Sequence, residues 1–293
     1  MTQETAPSPE TLVTRFAPSP TGLLHLGHAH AALFAARRAQ AAGGRFLLRI
    51  EDIDQGRCRP EFEAAITEDL RWLGLDWEQP VMRQSDRFAA YGHALDKLRD
   101  RGLLYPCFCT RKEIQHEIAR AGQAPHGPDG PLYPGTCRGL VEDERRARIA
   151  AGRAYALRLD MTAAMAAAAA VGPLTWIEHG RGIDGAAVPA EPQIHGDVVL
   201  ARKDLPASYH LAVTLDDAEQ GITLVTRGED LAPATHIHRL LQALLDLPVP
   251  AWHHHGLIAD AAGRRLAKRD DAQAIRTLRE QGLSAAEVRR LAG

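Results

Sequence analysis

The sequence predicts an α/β fold: a Rossmann-like parallel sheet, interrupted by an inserted α+β subdomain and followed by a short helical region. Three observations carry this. β-Branched and apolar segments alternate with helix-period segments over the first hundred residues, a Cys-, Pro- and Gly-rich stretch breaks that pattern from Leu103, and sheet-like segments return from Gly196. The implied division is residues 1–102 and 196–246 for the two halves of the sheet domain, 103–195 for the insertion and 247–293 for the C-terminal helical segment.

Leu12 to Phe16 reads as a strand. Arg15 to His28, R-F-A-P-S-P-T-G-L-L-H-L-G-H, reads as a strand end, a tight turn and a helix N-terminus opening into Ala29 to Ala42. Such a junction offers unpaired backbone N–H groups and the positive end of a helix dipole to an anionic phosphate. His25 and His28, three apart, share a face on which imidazoles donate to phosphate oxygens as charge develops. H-x-x-H alone fits an ordinary turn equally well; the fourteen-residue context favours the phosphate site. Gly22 and Gly27 let a nucleotide approach the backbone.

Arg45 to Asp52, R-F-L-L-R-I-E-D, reads as a buried parallel strand with a charged end. Phe62, Ile66, Leu70 and Leu73 then fall at helical spacing, as do Phe88, Tyr91, Leu95 and Leu98. Ligands of such sheets bind at the carboxyl ends of strands, where Arg15 and Glu51 both arrive. A cation and an anion facing one pocket suit a zwitterionic amino acid, Arg15 for its carboxylate and Glu51 for its ammonium. Asp52 and Asp54 read as caps of the next element.

Composition is that of an ordinary globular chain: 293 residues, 45% hydrophobic and 25% charged. With 35 Lys plus Arg against 37 Asp plus Glu, the total of -2 neither announces nor excludes a nucleic-acid partner, which needs only a local basic face. No apolar run approaches membrane-spanning length and the first eleven residues lack a signal peptide's apolar core, so a cytoplasmic monomer without a membrane partner is expected.

The insertion carries Y-P-C-F-C-T, Tyr105 to Thr110, and Y-P-G-T-C, Tyr133 to Cys137, joined by a Pro- and Gly-rich loop. Cys107, Cys109 and Cys137 are a candidate zinc site, with three reduced buried thiols as the equal alternative, while Cys58 stands apart. His126 and His116 are candidates for a fourth ligand. Short strands are expected at Ala154 to Leu159 and Leu174 to Glu178, with a helical spacer over Met161 to Ala170.

From Gly196 strands are expected at Asp197 to Arg202, Tyr209 to Asp217 and Ile222 to Asp230, and a helix at Pro233 to Leu245. His253, His254 and His255 lie on a strand, where neighbours face opposite ways and chelate poorly. G-R-R-L-A-K-R-D, Gly263 to Asp270, is a Gly-flanked loop whose Lys268 suits a triphosphate. Short helices follow at Ala272 to Gln281 and Ala285 to Ala292.

P-S-P-T-G-L-L-H-L-G-H resembles the adenylate-forming signature of class I aminoacyl-tRNA synthetases of the glutamyl branch, and the likeness to their catalytic half runs through nearly the whole chain. Gly263 to Asp270 is similar to their lysine-serine-lysine loop, with Arg265 at the first lysine, Ala267 at the serine and Lys268 at the lysine with the main role. R-I-E-D-I-D, Y-H-L-A-V and V-T-R-G-E-D resemble segments facing the amino-acid pocket, which nominates Tyr209 and Arg227. Read from the residues alone, Tyr209 is a core tyrosine.

The resemblance implies ATP and L-glutamate as substrates, Mg(2+) on the triphosphate, and glutamyl-adenylate formed with loss of pyrophosphate. His25, His28 and Lys268 would then stabilise the transition state, Gly27, His28 and Lys268 bind ATP, and Arg15, Ser19, Glu51, Tyr209 and Arg227 hold glutamate. It also implies Tyr133 as the fourth ligand of a structural zinc. No helical anticodon-reading domain is expected after the catalytic half, a pattern similar to the glutamyl-Q tRNA(Asp) synthetases, which attach glutamate to the queuosine base of tRNA(Asp). Charging of a tRNA 3′ end, or non-catalytic binding of tRNA or an amino acid, are the rival expectations.

Overall fold

The computed structural model describes residues 11–120, 126–128, 130–258 and 274–293. Strand β1 (Val13–Phe16) leads through a turn into helix α1 (Leu26–Ala41), which returns to strand β2 (Arg45–Ile50). Both strands are buried almost throughout, Thr14, Arg15 and Arg49 included, as parallel strands covered on two faces are. The return from α1 is tight: a Cβ on Gly44 would lie 2.1 Å from the Leu12 carbonyl oxygen, so only glycine passes there. Helix α2 (Pro60–Trp72) and strand β3 (Glu78–Arg83) complete a parallel sheet in the order β1-β2-β3, and helix α3 (Phe88–Asp100) follows. Helix α2 starts with Pro60, carries Glu61 and Glu63 in its first turn and Arg71 in its last, matching its dipole.

The chain then leaves the sheet. Strand β4 (Leu104–Cys107) and helix α4 (Arg111–Arg120) precede a two-stranded ribbon, β5 (His126–Gly127) and β6 (Gly130–Pro131). After helix α5 (Glu142–Ala150), strand β7 (Ala156–Leu159) pairs antiparallel with β4, and helix α6 (Met161–Ala168) follows. The alanine-rich α6 is more than a spacer. Its Met161, Ala164 and Ala168 are buried in one core with Tyr91, Leu95 and Leu98 of α3 and with leucines further along the chain. Small side chains permit that close packing.

Leu174 to Glu178, expected within the insertion, becomes strand β8 (Thr175–Glu178), paired with strand β9 (Ala186–Pro189) and set at the margin of the second half of the main sheet. Strand β10 (Val199–Ala201) instead joins β7 and β4. Tyr209 to Asp217, expected as a strand, is helix α7 (Tyr209–Glu219), with the Ser208 hydroxyl accepting from Leu211 N–H at its start. The reason for that difference is burial: Leu211 to Thr214, Asp216 and Asp217 are all covered, so neither periodicity shows in the sequence.

Strand β11 (Leu224–Gly228), helix α8 (Ala234–Leu245) and strand β12 (Ala251–His255) form the second parallel unit, and the α8 leucines complete the core around α6. Strand β11 lies alongside β1: Thr223 N–H donates to the Val13 carbonyl at 3.1 Å and the Arg15 guanidinium to the Thr226 carbonyl at 3.1 Å. The order across the molecule is therefore β3-β2-β1, then β11-β12-β8-β9. Connections leave β1 and β11 in opposite directions, which opens a crevice at their carboxyl ends. Helices α9 (Ile275–Glu280) and α10 (Ala285–Leu291) close the chain, α10 capped by Ser284 and packed on α1. Among the described residues no helix is long and apolar enough to cross a membrane.

Candidate active site

Two histidines build the start of α1. His25 is its N-cap; His25 Nδ1 accepts from Gly27 N–H at 3.1 Å, and His28 Nδ1 accepts from His25 N–H at 3.2 Å. The rings lie 3.8 Å apart between centroids. A nitrogen that accepts from a backbone N–H has no proton of its own, so each neutral ring carries its proton on Nε2. The fit at Gly27 is tight: a Cβ there would stand 3.1 Å from His25 Cε1, whereas nothing lies within 4 Å of one on Gly22. Ala274 pairs with His25, and Ile275 N–H donates to the Leu24 carbonyl at 2.8 Å, so the chain that follows Gly263 to Asp270 returns to this helix end. That loop, Lys268 included, lies outside the described residues.

The strand ends supply the charged part. The Pro18 carbonyl accepts from Glu51 N–H at 3.0 Å, which joins the end of β2 to the turn bearing the exposed Ser19. Arg15 donates from Nε to Asp217 Oδ1 at 2.9 Å and from Nη2 to Asp217 Oδ2 at 3.3 Å. Arg49, wholly buried, donates from Nη1 to Asp217 Oδ1 at 2.7 Å and from Nη2 to Glu51 Oε1 at 3.1 Å. With the Thr226 carbonyl, Arg15 spends three of its five N–H donors on the protein and keeps two to offer.

Electrostatics follow the same pattern. Burial opposes the Arg49 charge, but Asp217, Glu51 and Asp216 more than offset it and raise its pKa. Burial also opposes the Asp217 carboxylate, yet Arg15 and Arg49 hold its pKa below the ordinary value. Glu51 stays above its ordinary value because burial outweighs Arg49 and Arg15. An arriving ammonium would reverse that.

Arg227, on β11, meets only uncharged partners among the described residues: Nη1 donates to Tyr209 Oη at 3.2 Å, Nη2 to Thr235 Oγ1 at 2.7 Å, and Nε to His254 Nε2 at 3.2 Å, with His238 Nδ1 at 3.3 Å. Its positive charge is thus uncancelled by direct contact. Tyr209, first residue of α7 and 36% exposed, stands over it. The core reading of Tyr209 does not hold, because the residue keeps a third of its surface exposed while its hydroxyl meets Arg227. Asp52 accepts from the N–H and hydroxyl of Ser85 at 2.8 and 2.6 Å, a cap across the fold from the next element.

The chain matches the family tRNA synthetases class I (E and Q), catalytic domain, over residues 11–291. It belongs to that family. A glutamyl-Q tRNA(Asp) synthetase of Rhodobacter capsulatus is 53% identical over 96% of this chain and 100% of its own length, and one of Nocardia farcinica is 46% identical over 94% and 81%. A solved glutamate tRNA ligase from Elizabethkingia meningosepticum, in complex with its amino acid, superposes with a TM-score of 0.72 at 30% identity, over 89% of this chain. The chain spans about half of that ligase, 53%.

This class I synthetase domain also gathers the expected thiols. Cys107, Cys109 and Cys137 are free, and their sulfurs lie within 4.8 Å of one another. Thiolates bound tetrahedrally at the usual zinc distance stand about 3.8 Å apart, so the spacing fits such an ion. Tyr133 Oη lies 3.4 Å from Cys107 Sγ and 3.6 Å from Cys109 Sγ, and accepts from Cys137 N–H at 2.9 Å. Neither His116 nor His126 joins the group. Burial raises the Cys109 thiol to about 12. Burial works against Cys137 as well, yet hydrogen bonds led by Phe108 N–H bring it below the ordinary value. Among the described residues no other histidine, cysteine and carboxylate group could hold a metal, the His253 to His255 run included.

Sequence reasoning missed Arg49, Asp217, His254 and Glu178. Charged residues inside apolar runs, R-I-E-D and T-L-D-D, are the signal that was there to read for the first two. Nothing local marks Glu178.

Proposed function

We propose that this chain activates L-glutamate with ATP and transfers it to the queuosine base of tRNA(Asp). The observation that supports the reading is the gathering of Arg15, Glu51, Tyr209 and Arg227 within electrostatic reach of one another, on a chain whose β1 leads directly into a histidine-capped helix N-terminus. It supplies an anion site beside a zwitterion site, and the Rhodobacter capsulatus relative, matched along its whole length, bears the corresponding name.

A glutamate carboxylate oxygen attacks the α-phosphorus of ATP, the bond to the β-phosphate oxygen breaks, and pyrophosphate leaves with Mg(2+). His25 and His28 donate from Nε2 to the charge that develops, and Lys268 neutralises the departing phosphates. Glu51 holds the ammonium, Arg227 with Tyr209 and Arg15 with Ser19 hold carboxylate groups, and Gly27 admits the nucleotide. A queuosine hydroxyl then attacks the acyl carbon and AMP leaves. Zinc on Cys107, Cys109, Cys137 and Tyr133 ties the insertion together and takes no part in the chemistry.

The test is glutamate-dependent ATP–pyrophosphate exchange, followed by transfer of labelled glutamate to tRNA(Asp) with and without queuosine. Exchange together with transfer to the modified tRNA alone is expected. Equal labelling of both tRNAs would favour 3′-end charging, and absence of exchange would overturn activation itself.

A further inference from the structure

Arg227 does not hold its own orientation. Its Nε–H points at His254 Nε2, 3.2 Å away, and that ring is buried with its far side on Glu178: Nδ1 lies 2.6 Å from Glu178 Oε2. Glu178 and His254 are each 1% exposed. Glu178 also accepts from Trp176 Nε1 on Oε2, and from the N–H groups of Gly180 and His254 on Oε1 at 2.8 and 3.1 Å. Four donors therefore surround one carboxylate, which has no proton to give back.

We propose that Glu178 and His254 are positioning residues for the amino-acid site: the carboxylate places the imidazole proton on Nδ1, and the bare Nε2 lone pair aims Arg227 at its substrate carboxylate. This rests on the proposed function, in which Arg227 receives a carboxylate of glutamate. The pair arrives from strands β8 and β12, which lie on the side of β11 away from β1 and β2, so glutamate affinity depends on residues that never touch glutamate.

The argument is one of donors and acceptors. In E178Q the amide oxygen keeps the two backbone N–H groups, and the amide nitrogen replaces Oε2, facing Trp176 Nε1–H and the imidazole. The ring can answer only by moving its proton to Nε2. There it opposes Arg227 Nε–H, donor against donor, and donates instead to Thr235 Oγ1, 3.2 Å from Nε2, the hydroxyl that also accepts from Arg227 Nη2, so the guanidinium loses its acceptor at Nε and shares the other. His254→Phe fills the same space with no acceptor at all. His254→Gln restores an acceptor near Nε2 without needing instruction from Glu178.

The experiment measures KM for glutamate and for ATP in the exchange reaction, with Tm, for wild type, E178Q, H254F and H254Q. The expected result is KM for glutamate raised roughly tenfold to hundredfold in E178Q and H254F, the loss of one charge-assisted hydrogen bond. KM for ATP should stay at the wild-type value, and H254Q should recover most of the glutamate affinity. Unchanged glutamate KM in E178Q, or equal increases in both KM values across all three variants, would overturn the proposal. If H254F does not fold, the volume-preserving pair E178Q and H254Q decides it. Wild-type protein without glutamate-dependent exchange would overturn the proposed function first, and this inference with it.

Discussion

Asp217 Oδ1 lies 2.9 Å from Arg15 Nε and 2.7 Å from Arg49 Nη1, so one carboxylate from α7 joins two strands of the first half-sheet to the second. Asp217 is only 7% exposed, and Arg49 is wholly buried. D217N should leave two guanidiniums short of a charge in a desolvated place, at a cost of about 3–5 kcal/mol. Denaturant unfolding of D217N against wild type measures this; a difference within experimental error would show that Asp217 is not what joins the halves.

Gly27 divides packing from chemistry. A methyl group there presses on His25 at 3.1 and 3.2 Å, and the ring must move. Alanine also favours a helix over glycine by about 1 kcal/mol. G27A should therefore keep or raise Tm while lowering the exchange rate by roughly tenfold, the scale of about 1.4 kcal/mol in a barrier. G92A, on α3 with open space around its Cβ, should leave the rate unchanged. Equal activity of the two variants would remove His25 from the reaction.

The thiol cluster predicts one zinc per chain, read by elemental analysis of the purified protein. C109S should lose the metal and lower Tm, because only two thiolates and a phenol remain. H116A and H126A should keep a full complement, while Y133F should weaken retention under a chelator. Zinc lost in H126A and kept in Y133F would transfer the fourth position to the loop histidine.

His255 gives a pH dependence with a definite sign. Burial, aided by His30, His253 and His254 against the pull of the Gly256 carbonyl, lowers its pKa from 6.5 to about 4. Between those values the unfolded chain binds a proton that the native chain does not. The neutral ring's stabilisation is therefore complete above pH 6.5 and is lost as pH falls toward 4, by about 3 kcal/mol. Asp69 works the other way, because burial raises it from 3.8 to about 6 and the native state then gains on acidification. The difference in unfolding free energy between wild type and H255F isolates the histidine, and it should shrink toward acid. A difference independent of pH would mean that His255 titrates normally.

What the sequence alone determined was local. The β1 turn, the histidine pair at the start of α1, the buried run of β2, the amphipathic α8 and the three clustered thiols each declare themselves within a short window, because a helix cap, a strand period and a ligand type are written in neighbouring residues. Arg227 and Tyr209 were legible only through resemblance. Tertiary structure decided the rest. Asp217 meets Arg15 across 202 residues and Glu178 meets His254 across 76, and no periodicity encodes such pairings. Helix α7 escaped for the same reason: covered on several sides, it has no polar face to reveal its period. A buried charge is tolerated only where the fold delivers its partner, so the charges that shape this pocket become interpretable once the strands and helices bearing them lie side by side.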